Sequence, residues 1–194
     1  MTDTSVSRRD FVAAAAGAGG AFLVAGWPET AQAAERSFAR ALETGRARYK
    51  VLSQEEAADI ITLSSIIFPS DGTPGAKEAG VVFFVDQSLA TTGKGMKKPL
   101  LGVLAGVNAE VATRFPGKTR VAATTDAQQI ELMTWIEKNK PEWFGMIKGL
   151  SVAGMFAMPS RGGNRNKAGW KLIGFKDQFS WKAPYGWYDA EGNQ

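Results

Sequence analysis

The sequence predicts a mainly α protein: a single helical domain of about five helices, followed by an irregular, aromatic-rich C-terminal tail. Three observations carry this reading. Apolar residues recur at three- and four-residue steps between residues 53 and 158. Ser/Thr capping boxes, prolines and glycine clusters mark where those segments start and stop. No run with two-residue apolar alternation pairs with another such run.

Residues 1–33 have the form of a twin-arginine export signal. Arg8 and Arg9 are followed by Asp10, Phe11 and a weakly apolar run rich in alanine and glycine that ends at Gly26. That run would make about 24 Å of helix, short of a hydrocarbon core roughly 30 Å thick. Ala31-Gln32-Ala33 is a small-x-small cleavage site, with Ala34 as the expected mature N-terminus; an uncleaved N-terminal anchor is the alternative. The expected destination is the periplasm, reached in the folded state through the twin-arginine translocase.

Residues 34–52 are charged and lack long apolar periodicity, and read as a leader or linker. In the helical domain, 53–158, Ser53 and Glu56 form a capping box that opens the first helix. Ala57, Ile60, Ile61, Ser64, Ile67 and Phe68 share its apolar face, and Pro69 ends it. A turn cluster, Ser70 to Gly75, precedes a second helix expected over 76–90, with Val81, Phe84, Val85 and Leu89 inside. A third is expected to start near Pro99, with Leu100, Leu104, Val107, Val111 and Phe115 on one stripe. Thr125 and Gln128 form a second capping box, opening a helix that carries Ile130, Met133 and Ile136. Pro141 opens the fifth, to about Ala157, with Phe144, Ile147, Leu150 and Met155. From Pro159 to the C-terminus the chain is glycine-rich, basic and aromatic.

The 194-residue chain contains no histidine and no cysteine. That excludes Ser–His–Asp and Cys–His catalysis, thiolate-held zinc or iron–sulfur clusters, histidine-ligated haem, C-x-x-C-H haem attachment and any disulfide. Chemistry by this chain alone would rest on Asp, Glu, Lys, Tyr or Ser. Glu55, Glu56 and Glu78 read as caps and solvated faces, since adjacent carboxylates point to different parts of a helix. Asp71 reads as a turn residue that stabilises its own backbone. No βαβ pattern with a glycine-rich loop marks a nucleotide site.

The run from Gly162 to Phe175, GGNRNKAGWKLIGF, resembles the C-terminal signature of the gluconate 2-dehydrogenase subunit 3 family. Pro74-Gly75-Ala76-Lys77-Glu78-Ala79-Gly80-Val81 is similar to that family's second landmark, and Leu52-Ser53-Gln54-Glu55-Glu56 to its start. The resemblance implies a non-catalytic small subunit of a periplasmic flavin dehydrogenase acting on CH–OH groups of sugars or sugar acids. It implies no cofactor, metal or catalytic residue in this chain. FAD is expected in a large, GMC-type partner subunit and haem c in a partner cytochrome, through which the complex would associate with the membrane. The small subunit is expected to export and stabilise the large one. A transient maturation chaperone and an independent periplasmic enzyme are the alternatives.

The signature itself has the composition of an interface. Gly162, Gly163 and Gly169 permit close backbone approach, and Asn164 and Arg165 offer hydrogen-bonding groups. Trp170 and Lys171 follow, and then the aromatic tail with Phe179, Trp181, Tyr185, Trp187 and Tyr188. Trp, Tyr and Arg are the types most enriched among interface hot spots, so these residues form the expected partner-contact segment, 159–194. The competing reading is that the signature caps the helical core. Basic and aromatic interleaving also suits single-stranded nucleic acid, but the export signal and a net charge of only +4 argue against that partner.

Overall fold

A computed structural model describes residues 47–178 and Ser180. The chain divides into two compact units, Met1–Arg48 and Tyr49–Gln194. Of the first, only Ala47 and Arg48 are described, both in irregular chain. The export-signal residues Arg8, Arg9, Phe11, Ala31 and Ala33 lie outside the described residues, as do 34–46 of the expected leader.

The second unit holds seven α-helices among its described residues. α1, Gln54–Ile67, begins at Ser53, whose hydroxyl accepts from the Glu56 N–H while Glu56 accepts from the Ser53 N–H. This is the expected capping box, and it satisfies two otherwise unpaired N–H groups. The buried stripe of α1 runs through Ala57, Ile60, Leu63 and Ser64; Ile61, Ile67 and Phe68 are half-buried beside it.

The expected second helix is two helices. α2, Ala76–Ala79, and α3, Val81–Ala90, meet at Gly80, whose φ of 73° lies in the left-handed region and breaks the helix. α4, Lys97–Arg114, starts two residues before Pro99, continuing directly from a 3₁₀ turn at Lys94–Met96. Pro99 is tolerated there because N–H groups of a helix's first turn have no intrahelical acceptor. Leu100, Val103, Leu104, Val107 and Val111 form its buried stripe, and Phe115 closes it.

α5, Asp126–Asn139, opens with the Thr125–Gln128 capping box. Its buried face is Leu132, Met133 and Ile136, whereas Ile130, expected inside, is 61% exposed. At 3.6 residues per turn Ile130 falls more than about 100° from the centre of that face. α6, Pro141–Phe156, buries Ile147, Ser151, Gly154 and Met155, with Phe144 and Leu150 half-buried. α6 packs against α1, α3 and α5 and is the central element of the bundle. Two 3₁₀ turns, Pro159–Arg161 and Arg165–Lys167, lead to α7, Ala168–Leu172, which packs back on α6. The split at Gly80 and the addition of α7 account for seven helices where five were expected. No described helix is long and apolar enough to cross a membrane.

Candidate functional site

The fold joins the second landmark to the C-terminal signature. The side chain of Arg165 crosses Gly80: a Cβ at Gly80 would sit 2.7 Å from Arg165 Cδ and 3.4 Å from the Gly162 carbonyl oxygen. Only glycine both adopts the left-handed break and leaves room for the arginine. The turn before α2 is held by Glu78, whose carboxylate accepts from the Ser70 hydroxyl (2.6 Å) and the Gly75 N–H (3.0 Å). Burial pushes the Glu78 carboxyl up, but these hydrogen bonds, its own backbone N–H and the Lys77 charge pull it below its ordinary value.

Within the signature, Asn164 is the organising residue. It is fully buried and has a φ of 47°. Its Nδ2 donates to the Ala157 carbonyl (2.8 Å), its Oδ1 accepts from the Gly169 N–H (2.9 Å), and its own N–H donates to the Gly154 carbonyl (3.0 Å). One side chain thus ties the end of α6 to the start of α7. Asparagine suits this place because it tolerates the left-handed region and carries both a donor and an acceptor.

The glycines around it are where two backbones touch. A Cβ on Gly163 would lie 2.2 Å from the Gly154 carbonyl oxygen, and one on Gly169 would lie 2.1 Å from that of Met155. Gly162 packs on the first turn of α3, against the Phe83 carbonyl. The Trp170 indole N–H donates to the Phe156 carbonyl at 3.1 Å, near the C-terminus of α6, where helix carbonyls lack intrahelical donors.

Gly162, Gly163, Asn164, Gly169 and Trp170 of the signature are therefore engaged within the fold, and a different set of side chains faces out. Leu172, Ile173 and Phe175 are 46%, 61% and 44% exposed. Lys171 and Lys176 are exposed beside them, and Lys167 pairs with Asp177 at 2.8 Å. The expected contact residues Phe179, Trp181, Tyr185, Trp187 and Tyr188 lie outside the described residues.

Two buried carboxylates escape a reading of the sequence. Asp86 of α3 is almost fully buried; it accepts from the N–H groups of Lys50 (2.7 Å), Val51 (2.9 Å) and Leu52 (3.0 Å). This clasp fixes Lys50–Leu52 against α3, so the folded unit extends into the expected leader. Tyr49 stacks near Phe83 with ring centroids 5.4 Å apart; burial, and then the Asp86 charge, push its phenol above its ordinary value. Asp59 of α1 is fully buried and accepts from Arg120 (2.6 Å) and Asn108 (2.7 Å), tying the 3₁₀ turn Val121–Ala123 and α4 to α1. The exposed Glu55 takes the other arm of Arg120 at 2.9 Å. The available signal was positional: Asp86 falls in step with the buried Val82 and Leu89, and an acid on an apolar stripe must be hydrogen-bonded.

No group of three or more His, Cys, Asp or Glu side chains converges among the described residues. Among the described residues, a small apolar cavity of about 20 Å³ lies between α1, α3, α4 and α6, lined by Ile60, Leu63, Val85, Leu104 and Ile147 among others, with room for a water-sized guest.

The family model for gluconate 2-dehydrogenase subunit 3 matches residues 54–177, from the first turn of α1 through the signature lobe. The chain belongs to the gluconate 2-dehydrogenase subunit 3 family. No curated protein and no solved structure matches it. The family is named for an accessory subunit of a multi-subunit oxidoreductase. Both ends of the match have a clear physical role: Glu56 near its start completes the capping box of α1, and Asn164 toward its end locks α7 onto α6.

Proposed function

We propose that this chain is the non-catalytic small subunit of a periplasmic FAD-dependent, GMC-type sugar or sugar-acid dehydrogenase such as gluconate 2-dehydrogenase. It exports the large flavin-binding subunit by the twin-arginine route and stabilises it afterwards. In such a complex the large subunit would take two electrons and two protons from a CH–OH group, leaving a carbonyl, and FAD would supply the two-electron acceptor. A c-type cytochrome subunit then takes the electrons toward the respiratory chain. The observation that carries this reading is the family match over residues 54–177. A chain without histidine or cysteine suits a division of labour in which the redox groups sit in the partners.

The test is co-expression of the large subunit with an Arg8→Lys, Arg9→Lys variant of this chain. The large subunit is expected to remain in the cytoplasm. Its arrival in the periplasm at normal levels would show that this chain is not its carrier. Size-exclusion of the periplasmic fraction is expected to give one stable complex containing both chains. Separate elution would point to a transient chaperone instead.

A further inference from the structure

We infer that the exposed strip Leu172-Ile173-Phe175, flanked by Lys171 and Lys176, docks the large dehydrogenase subunit through an apolar groove edged with carboxylates. The inference rests on the subunit role proposed above and adds the surface and the chemistry of the partner site.

Exposure is the first argument. Three large apolar side chains, each 44–61% exposed, fall within four consecutive positions. The other exposed large apolar residues among those described, Met96, Ile130, Val152 and Met158, stand singly and far apart in the sequence or on separate elements. Scattered apolar residues are ordinary on a protein surface, but a cluster of this kind marks an interaction site.

Rigidity is the second. The strip is not a loose end. The Phe175 N–H donates to the Trp170 carbonyl at 2.8 Å, the Gly174 N–H to that of Lys171 at 3.1 Å, and the Ile173 N–H to that of Gly169 at 3.3 Å. Gly174 makes the required left-handed turn, with φ of 69°. The Phe175 ring stands edge-on to Trp170 with centroids 5.2 Å apart, and Trp170 is itself tied to α6. The fold thus pays in advance the ordering cost of presenting these side chains, which is what a preorganised interface requires.

Charge selects the occupant. The nearby acid, Asp177, is engaged by Lys167, while Lys171 and Lys176 form no ion pair among the described residues. An isologous dimer on this strip would bring the same lysines of two copies together, so a second copy fits poorly. A partner with apolar walls and carboxylates at the rim satisfies both the strip and its flanks. Two lysines are a weak attraction for an anionic membrane, and three side chains offer little to insert. A shaped protein groove is the better match to a fixed aromatic ring.

The experiment uses the full chain and the large flavin-binding subunit, purified separately and titrated against each other. Leu172→Ala and Ile173→Ala remove side chains that lie about half outside the fold, so the thermal unfolding of this chain is expected to stay close to wild type. Each is expected to weaken binding roughly tenfold or more, as central interface truncations do. The Lys171→Glu, Lys176→Glu pair is expected to weaken binding at low salt, with the difference from wild type shrinking as salt rises. Wild-type affinity in all three variants would overturn the docking surface and leave the subunit role intact. Failure of the wild-type chain itself to bind would instead overturn the subunit role. Self-association of the isolated chain that the same variants abolish would make the occupant a second copy. Flotation with anionic vesicles that they abolish, with unchanged subunit binding, would make it a membrane; either result overturns the proposal.

Discussion

Replacing Asn164 by alanine is expected to unlock the signature from the helical bundle. The side chain makes two hydrogen bonds, one to the Ala157 carbonyl at 2.8 Å and a buried one from the Gly169 N–H at 2.9 Å. Its loss strands a donor and an acceptor, each costing about 1–3 kcal/mol. Alanine must also adopt a φ of 47°, which adds about 1 kcal/mol. The total is about 3–7 kcal/mol, a large part of the roughly 5–15 kcal/mol that holds a domain folded. Urea unfolding of the full chain, followed by tryptophan fluorescence, reads this directly. Asn164→Asp sharpens the test. It keeps the acceptor for Gly169 but turns a carboxylate oxygen toward the Ala157 carbonyl, so its folded-state value is raised above the unfolded carboxylate value of about 3.9. The sign follows: below about pH 4 the protonated carboxyl can donate to that carbonyl, and the variant's deficit grows as pH rises above this. A loss under about 1 kcal/mol for the alanine variant, or an aspartate deficit that ignores pH, would refute the assignment of Asn164 as the lock.

Asp86→Ala is expected to destabilise by about 3 kcal/mol, because three backbone N–H groups lose their acceptor, and Asp86→Asn by less, because one oxygen still serves Val51 and Leu52. Hydrogen exchange at Lys50–Leu52 should accelerate in both; unchanged exchange would show that the clasp does not hold that segment. Asp59→Ala is expected to cost about 3 kcal/mol and Glu55→Ala less than about 1, since Asp59 is buried and Glu55 exposed although both bind Arg120. Equal effects in chemical denaturation would contradict that ranking. The Glu78 carboxylate titrates below its ordinary value of 4.5, so its support of the Ser70–Gly75 turn is present above that pH and is lost as pH falls through the lower folded value. Glu78→Gln should therefore flatten the acid limb of the stability curve, and an unchanged limb would remove Glu78 from it.

Much of the helical frame is legible because it is written locally. The capping boxes at Ser53 and Thr125 and the proline at 141 act within one turn, and they place the starts of α1, α5 and α6. The GGNR and GWKLIGF runs, on which the resemblance to the family rests without reference to any contact, lie within the matched residues. What the signature does inside the fold is not legible in the same way. Glycines, an asparagine and a tryptophan suit an interface and a packed core equally, and composition does not distinguish them.

The amino-acid sequence by itself determined the helical class, most helix starts and the family. Only the tertiary structure decided that Gly80 splits a helix, that Ile130 faces out while Leu132 faces in, and that Asp59 and Asp86 are buried. It also decided that Asn164 looks inward and Ile173 outward. The reason is range. Caps and apolar periods depend on neighbours within a few residues, whereas these outcomes depend on what packs opposite. Arg165 lies over Gly80, Arg120 reaches Asp59, and Lys50 to Leu52 reach Asp86, each across a separation that no local rule spans.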